Sequence, residues 1–266
     1  MSTQLPEKVN VLGVGISAVT METAIQTIER WIQTKDETRY VCVTELHGLM
    51  ESQRHESIRL VYNRADMVVP DGMAVVWAMH WLGYKWVERV YGPDLMMALC
   101  ERSVKTGYRH FLYGGAPGVP ELLAHRLQNR FPGLNIVGTY SPPFRPLTPQ
   151  EDAEVVAMIH QARPDIVWIG LSTPKQEQWM AEHADRLQKV VMIGVGAAFD
   201  FHAGIKRRAP RWMQKRGLEW FFRLMQEPRR LWKRYLPNIP LFFWLLALQK
   251  MGIRYIPLHD EQAKEV

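Results

Sequence analysis

The sequence predicts an α/β fold built on a largely parallel sheet. Short β-branched or apolar runs alternate with segments of helical periodicity along residues 9–195. Several of those runs stop at glycine or polar residues, where open parallel sheets bind their ligands. Size agrees: 266 residues, 47% hydrophobic and 23% charged, suit one large domain or a domain with an appendage, and exclude a disordered or low-complexity chain.

In chain order, Val9–Val14 reads as a strand, Met21–Ile32 as a helix and Tyr40–Thr44 as a strand. Leu46–Gln53 and Glu56–Arg64 read as helices leading to the strand Met67–Val69. Helices are expected over Gly72–Leu82, Pro93–Lys105 and Val119–Phe131, with strands at Arg109–Tyr113 and Leu134–Thr139. The proline-rich stretch 142–149 is a rigid connection, after which Thr148 can cap a helix over Glu151–Gln161. Asp165–Gly170 and Val190–Val195 complete the strands, flanking a helix over Lys175–His183.

Charge divides the chain. Residues 206–234 hold 11 Lys/Arg against two Glu, while the whole chain carries only +6, so the preceding body is slightly acidic. The expected division is therefore an α/β domain, 1–205, and a basic, tryptophan-rich helical appendage, 206–266, that associates with membrane. Trp212, Trp220, Phe221, Leu224, Trp232 and Tyr235 recur as one helical face does, and Pro228 should interrupt or start a helix. The apolar run Ile239–Leu248 is too short to span a bilayer, which takes about 20 residues. A tail lying in a membrane interface fits best. Helices packed on the body as core, or a single-stranded nucleic-acid surface, are the alternatives. Met1 opens a polar stretch rather than a signal peptide, so a cytoplasmic chain is expected. Cys42 and Cys100 make neither a disulfide framework nor a zinc quartet.

Candidate site residues cluster at strand ends. Asp71 follows an apolar strand and precedes Gly72, so it can serve as a general base or cap the next helix. Glu45 and His47 form a possible second acid–base pair. Gly114 and Gly115, with Gly118, allow a sharp turn whose amides can meet an anion at a helix start, or simply a tight packing turn. Gln176 can bond a sugar or base, and Arg89 can pair with phosphate. Asp200 ends the glycine-rich stretch after the last strand. No Walker lysine loop, dinucleotide fingerprint or Asp-x-Asp pair is present, so no metal and no cofactor are expected.

Six stretches in order carry a resemblance: Ala65-Asp-Met-Val-Val-Pro-Asp-Gly72, Arg89-Val-Tyr-Gly-Pro-Asp-Leu95, Phe111-Leu-Tyr-Gly-Gly-Ala-Pro-Gly118, Gly170-Leu-Ser-Thr-Pro-Lys-Gln-Glu177, the segment 194–204 and the segment 207–220. They resemble the WecG/TagA/CpsF glycosyltransferases from about Val9 to Tyr235. The resemblance implies a Rossmann-like, GT-E type core with a helical C-terminal appendage. It implies inverting, metal-independent transfer of a sugar from a UDP-sugar donor to a lipid-diphosphate-linked acceptor, a polyprenyl-diphosphate sugar. The setting implied is surface-polysaccharide assembly, peripheral at the cytoplasmic face of the inner membrane, on an anionic membrane surface without nucleic acid, with a homo-oligomer left open. By motif, Asp71 corresponds to the base, and Thr44, Arg89 and Gln176 to the pocket. His47, Gly114, Gly115 and Asp200 join these as substrate-binding candidates. Arg207, Arg208, Arg211 and Arg216 lie in the segment that resembles the diphosphate-binding one. The loop after Thr44 departs from the family pattern, which commonly carries an Asn there. The competing class is a non-enzymatic peripheral membrane adaptor binding nucleotide or anionic lipid through the basic tail.

Overall fold

The structure, a computed structural model, describes residues 5–258. Residues 1–4, at the expected leaderless start, and residues 259–266 of the expected appendage lie outside the described residues.

The chain opens with a hairpin, Lys8–Val11 (β1) paired antiparallel with Val14–Ser17 (β2). Leu12 and Gly13 turn it with φ of 55° and 81°, the positive pair that a two-residue hairpin loop needs. The single strand expected over Val9–Val14 is thus two strands, because periodicity does not register a reversal inside an unbroken apolar run.

Six strands follow: Arg39–Thr44 (β3), Met67–Pro70 (β4), Arg109–Gly114 (β5), Asn135–Tyr140 (β6), Ile166–Gly170 (β7) and Val191–Gly194 (β8). They form one sheet in the order β4-β3-β8-β7-β5-β6, with every pair parallel. Alternation assigns the faces. Tyr40, Cys42 and Val68 point to one core; Val41, Val43 and Val69 point to the other. On the second face lie Met21–Thr34 (α1), Gly92–Thr106 (α5), Val119–Arg130 (α6) and the short Ala198–His202 (α9). On the first lie Leu46–Arg54 (α2), Glu56–Arg64 (α3), Met73–Trp81 (α4), Pro149–Ala162 (α7) and Lys175–His183 (α8). Helices on both faces of a parallel sheet are the doubly wound arrangement. Thr148 caps α7 in a capping box with Glu151; the helix starts at Pro149, since proline's fixed φ suits the first turn.

The parallel order brings the carboxyl ends of β4, β3, β8 and β7 to one edge. Gly114 locks β5 there: its φ is 124°, and a Cβ would come within 2.6 Å of the Gly170 backbone. Only glycine allows the two strands to close at this point.

The basic segment becomes three short helices, Arg211–Lys215 (α10), Glu219–Gln226 (α11) and Pro228–Tyr235 (α12). Gly217, at φ 70°, and Pro228 make the breaks. A fourth helix, Asn238–Lys250 (α13), takes the apolar run. Phe242 and Leu246 are fully buried in the first core, whereas Leu241 and Trp244 are exposed. The run is therefore core on one side and surface on the other. Beyond it, the Leu12 amide donates to Gln249 Oε1 at 2.7 Å, and Asn10 Nδ2 donates to the Ile256 carbonyl at 2.8 Å. The segment expected as an appendage starts as a cover over the sheet edge and ends stitched into the body.

Candidate active site

A cleft of about 1120 Å³ lies over the carboxyl ends of the strands, roofed by α11 and α12. That exceeds the ~300–1000 Å³ of ordinary small-molecule pockets. Asp71 sits at the mouth of β4, because its amide donates to the Thr44 carbonyl at 2.8 Å and continues the ladder one residue past the strand. Its Oδ1 accepts from the Gly92 amide at 3.2 Å. Asp66, at the other end of β4, points away from the cleft and accepts from the Tyr40 amide at 2.9 Å.

Arg89 connects the body to the roof. Its Nε donates to the Asp71 carbonyl, and one terminal nitrogen lies 3.8 Å from Asp71 Oδ1 and 2.8 Å from Glu219 Oε2. Glu219, the first residue of α11, also accepts from the Tyr91 hydroxyl, and Arg89 and Arg208 flank the Tyr91 ring at 4.1 and 4.9 Å. Burial pushes the Asp71 carboxyl up to about 7; Arg89 opposes the rise, while Glu219 and Glu45 add to it. Such a carboxyl is poised to take a proton near neutrality.

Glu45 has a different environment. Arg234 donates to it at 2.6 Å and Arg223 lies at 3.8 Å. Burial opposes its ionisation, yet the two arginines outweigh burial and hold its carboxyl below the ordinary value. Burial and Arg234 push His47 down to about 4, so His47 lines the cleft as a neutral ring. Glu45 and His47, the possible second acid–base group, are here a carboxylate tied to two arginines and a neutral imidazole.

The remaining candidates divide. Arg89, Gly115, Gln176 and Asp200 line the cleft with Asp71 and His47. Gln176 is buried; its Nε2 donates to Glu177 Oε1 at 3.0 Å, leaving its own Oε1 without a protein partner. Asp200 pairs with Lys206 at 3.0 Å. Thr44 contributes its carbonyl, while its hydroxyl is buried on the far side, beside Gly48 and the Tyr62 hydroxyl. Gly114 does not line the cleft, and the Gly115 amide is taken by the Gly170 carbonyl at 3.0 Å. The glycine pair joins two strands, so the Gly115 amide is not free for an anion.

None of Arg207, Arg208, Arg211 and Arg216 lines the cleft. Arg207, Arg211 and Arg216 are exposed, and Arg208 pairs with Asp94 at 2.8 Å. Among the described residues, the segment from 206 onward lines the cleft with the cations Lys206, Arg223, Arg230 and Arg234. Counting charge along the sequence finds the basic segment, but the breaks at Gly217 and Pro228 decide which face of each short helix turns inward. Glu219 was legible only as one of two acids in a basic run. Among the described residues, no group of three or more His, Cys, Asp and Glu is placed to hold a metal ion.

A family model for the glycosyl transferase WecG/TagA/CpsF family matches residues 9–255. Three Staphylococcus aureus proteins, from strains MW2, NCTC 8325 / PS 47 and MRSA252, are each 29% identical to the chain over 248 residues, covering 93% of it and 95% of each of them. Each of the three is an N-acetylglucosaminyldiphosphoundecaprenol N-acetyl-beta-D-mannosaminyltransferase.

Folding raises the proton affinity of Asp71 from 3.8 to about 7. The native state then holds more protons than the unfolded chain between those values. Its contribution to stability is full below the unfolded pKa and lost as pH rises through about 7. Asp71→Asn removes the titration, so the variant should melt above the parent at about pH 8, with the difference closing towards about pH 4. Parallel melting curves at every pH would contradict this environment for Asp71.

Proposed function

The chain belongs to the WecG/TagA/CpsF glycosyltransferase family, and on that premise we propose that it moves a sugar from a UDP-sugar to a polyprenyl-diphosphate-linked sugar, with Asp71 as general base. It is an enzyme of the hexosyltransferase class. The observation that carries the assignment of Asp71 is its place: a half-buried carboxyl with proton affinity near neutrality, at the strand edge, inside a cleft whose roof is cationic.

The chemistry follows from those groups. The acceptor hydroxyl gives its proton to Asp71 as its oxygen attacks the anomeric carbon of the donor. The bond from that carbon to the UDP oxygen breaks on the opposite face, so one displacement inverts the centre with no sugar–enzyme bond. Charge gathers on the leaving diphosphate; Arg145, Lys175 and Arg186 line the cleft besides the roof cations Lys206, Arg223, Arg230 and Arg234, so it carries cations for this diphosphate and for the acceptor's. The roof cations are a preorganised electrostatic element, held in place before reaction by Glu45, Glu227 and Asp200. The acceptor class we extend to this chain is the one in the relatives' name, a sugar diphosphate on a polyprenol.

We also propose that the protein works as a peripheral protein on the cytoplasmic membrane face, within surface-polysaccharide assembly. Among the described residues, no helix is long and apolar enough to cross a membrane. Trp212, Phe221, Met225, Trp232 and Leu236 are exposed among the basic residues of α10–α12, a composition that favours an anionic interface.

Two experiments test these readings. UDP release with a panel of UDP-sugars and a short-chain diphosphate-sugar acceptor should give kcat/KM that rises with pH and levels above about 7. Asp71→Asn should lower turnover by roughly 10²–10⁴-fold and remove that limb. Near-parent turnover in the variant would refute the base assignment. Serine at both Trp212 and Trp232 should weaken co-sedimentation with phosphatidylglycerol vesicles severalfold while UDP-sugar binding is kept; undiminished co-sedimentation would refute the interface.

A further inference from the structure

Two helices at the cleft are apolar around most of their circumference. α4 reads Met-Ala-Val-Val-Trp-Ala-Met-His-Trp, with His80 its one polar side chain, and α13 reads Ile-Pro-Leu-Phe-Phe-Trp-Leu-Leu-Ala-Leu between Asn238 and the closing Gln249-Lys250. A helix of that kind usually lies wholly inside a core or in lipid. Neither does here. α4 buries Val75, Ala78 and Met79 but leaves Trp77 and Trp81, one turn apart, 44% and 45% exposed. α13 buries Phe242 and Leu246 but leaves Trp244 61% exposed.

The two helices flank one side of the cleft. Met73, Ala74 and Trp77 of α4 line it, and so do Ile239 and Phe243 of α13. Their far ends meet, where the Lys250 ammonium donates to the Trp81 carbonyl. They therefore leave the cleft together, roughly 14 and 20 Å long at ~1.5 Å per residue. The Gly217 turn closes over the near end of α4: a Cβ at Gly217 would come within 2.9 Å of the Trp77 ring and 3.1 Å of Met73. The cleft thus carries both cationic side chains of α11 and α12 and apolar side chains of α4 and α13, with Asp71 among its lining.

Resting on the acceptor class proposed above, we propose that the apolar side of the cleft between α4 and α13 seats the acceptor's polyprenyl chain, with Trp77 and Phe243 against it and its diphosphate towards Arg223, Arg230 and Arg234. The match is that of an amphiphile to its site. A diphosphate needs the cationic roof, and an isoprenoid chain leaving it needs continuous apolar surface. A bilayer surface accounts for the exposed rings of Trp81 and Trp244. It does not account for Trp77 and Phe243 lining the same cleft as the catalytic carboxyl.

Binding of sugar-free lipid diphosphates tests this without any donor or turnover, so its failure is distinct from failure of the transferase reading. Heptaprenyl diphosphate and geranyl diphosphate share the head and differ only in chain length. The full-length protein in detergent should bind the heptaprenyl form about tenfold or more tightly, since each buried methylene adds to affinity. Trp77→Ala and Phe243→Ala should bring the two Kd values to within about twofold of each other, with geranyl diphosphate affinity and vesicle co-sedimentation unchanged. Trp77 is half exposed, so its variant remains decisive if Phe243→Ala lowers the melting temperature. Equal affinity of the parent for both lipids would overturn the proposal. So would a chain-length preference that survives Trp77→Ala, or vesicle binding lost in that variant while the preference stays.

Discussion

Arg89 is the interaction on which the site depends. One guanidinium bonds the Asp71 carbonyl, stands beside the Asp71 carboxyl and pairs with Glu219 on the first turn of α11. Without that cation, Asp71, Glu45 and Glu219 would gather negative charge in a partly desolvated cleft. With it, Asp71 retains a proton affinity near neutrality and the roof is held over the strand edge. Buried ion pairs of this type add little net stability, because desolvation offsets attraction. Their geometric requirement is strict, however, and here it fixes where α11 sits relative to β4.

The second tie, Glu45 to Arg234 and Arg223, works on the other side of the cleft. The two carboxylates that raise the proton affinity of Asp71 thus have opposite tasks. Glu219 keeps Arg89 in place, and Glu45 holds the roof arginines, with its own carboxyl drawn below the ordinary range. In the proposed reaction a diphosphate competes with Glu45, Glu227 and Asp200 for the same cations. Substrate binding is then an exchange of anionic partners rather than the neutralisation of free charge, and the cationic roof avoids self-repulsion while the cleft is empty of phosphate.

Much of this was legible in the sequence, for a physical reason. Strand-end positions are set by local alternation, so Asp71, Gln176 and Asp200 could be placed at the sheet edge from patterning, and the sheet itself from the spacing of apolar runs. What patterning does not carry is rotation. The basic segment is found by counting charge, but which of its arginines face the cleft is not: the helix breaks turn Arg223, Arg230 and Arg234 inward, while Arg207, Arg208, Arg211 and Arg216 do not line it. Glycines 114 and 115 illustrate the same limit: their spacing permits an anion-binding turn, but the approach of Gly170 consumes the Gly115 amide. The run at 239–248 is half core and half surface, a division that depends on what α2 and the hairpin present to it.

The central claim is that burial raises the proton affinity of Asp71 and that the Glu219–Arg89 pair tunes it, Glu219 upward and Arg89 downward. The pH dependence of kcat/KM in Glu219→Gln tests it most directly. Losing the Glu219 charge removes a term that raises the Asp71 pKa and leaves Arg89 to Asp71 alone, so the acid limb should move below the parent's value of about 7. A limb that stays at the parent's pH, in a variant that folds and turns over, would contradict the account.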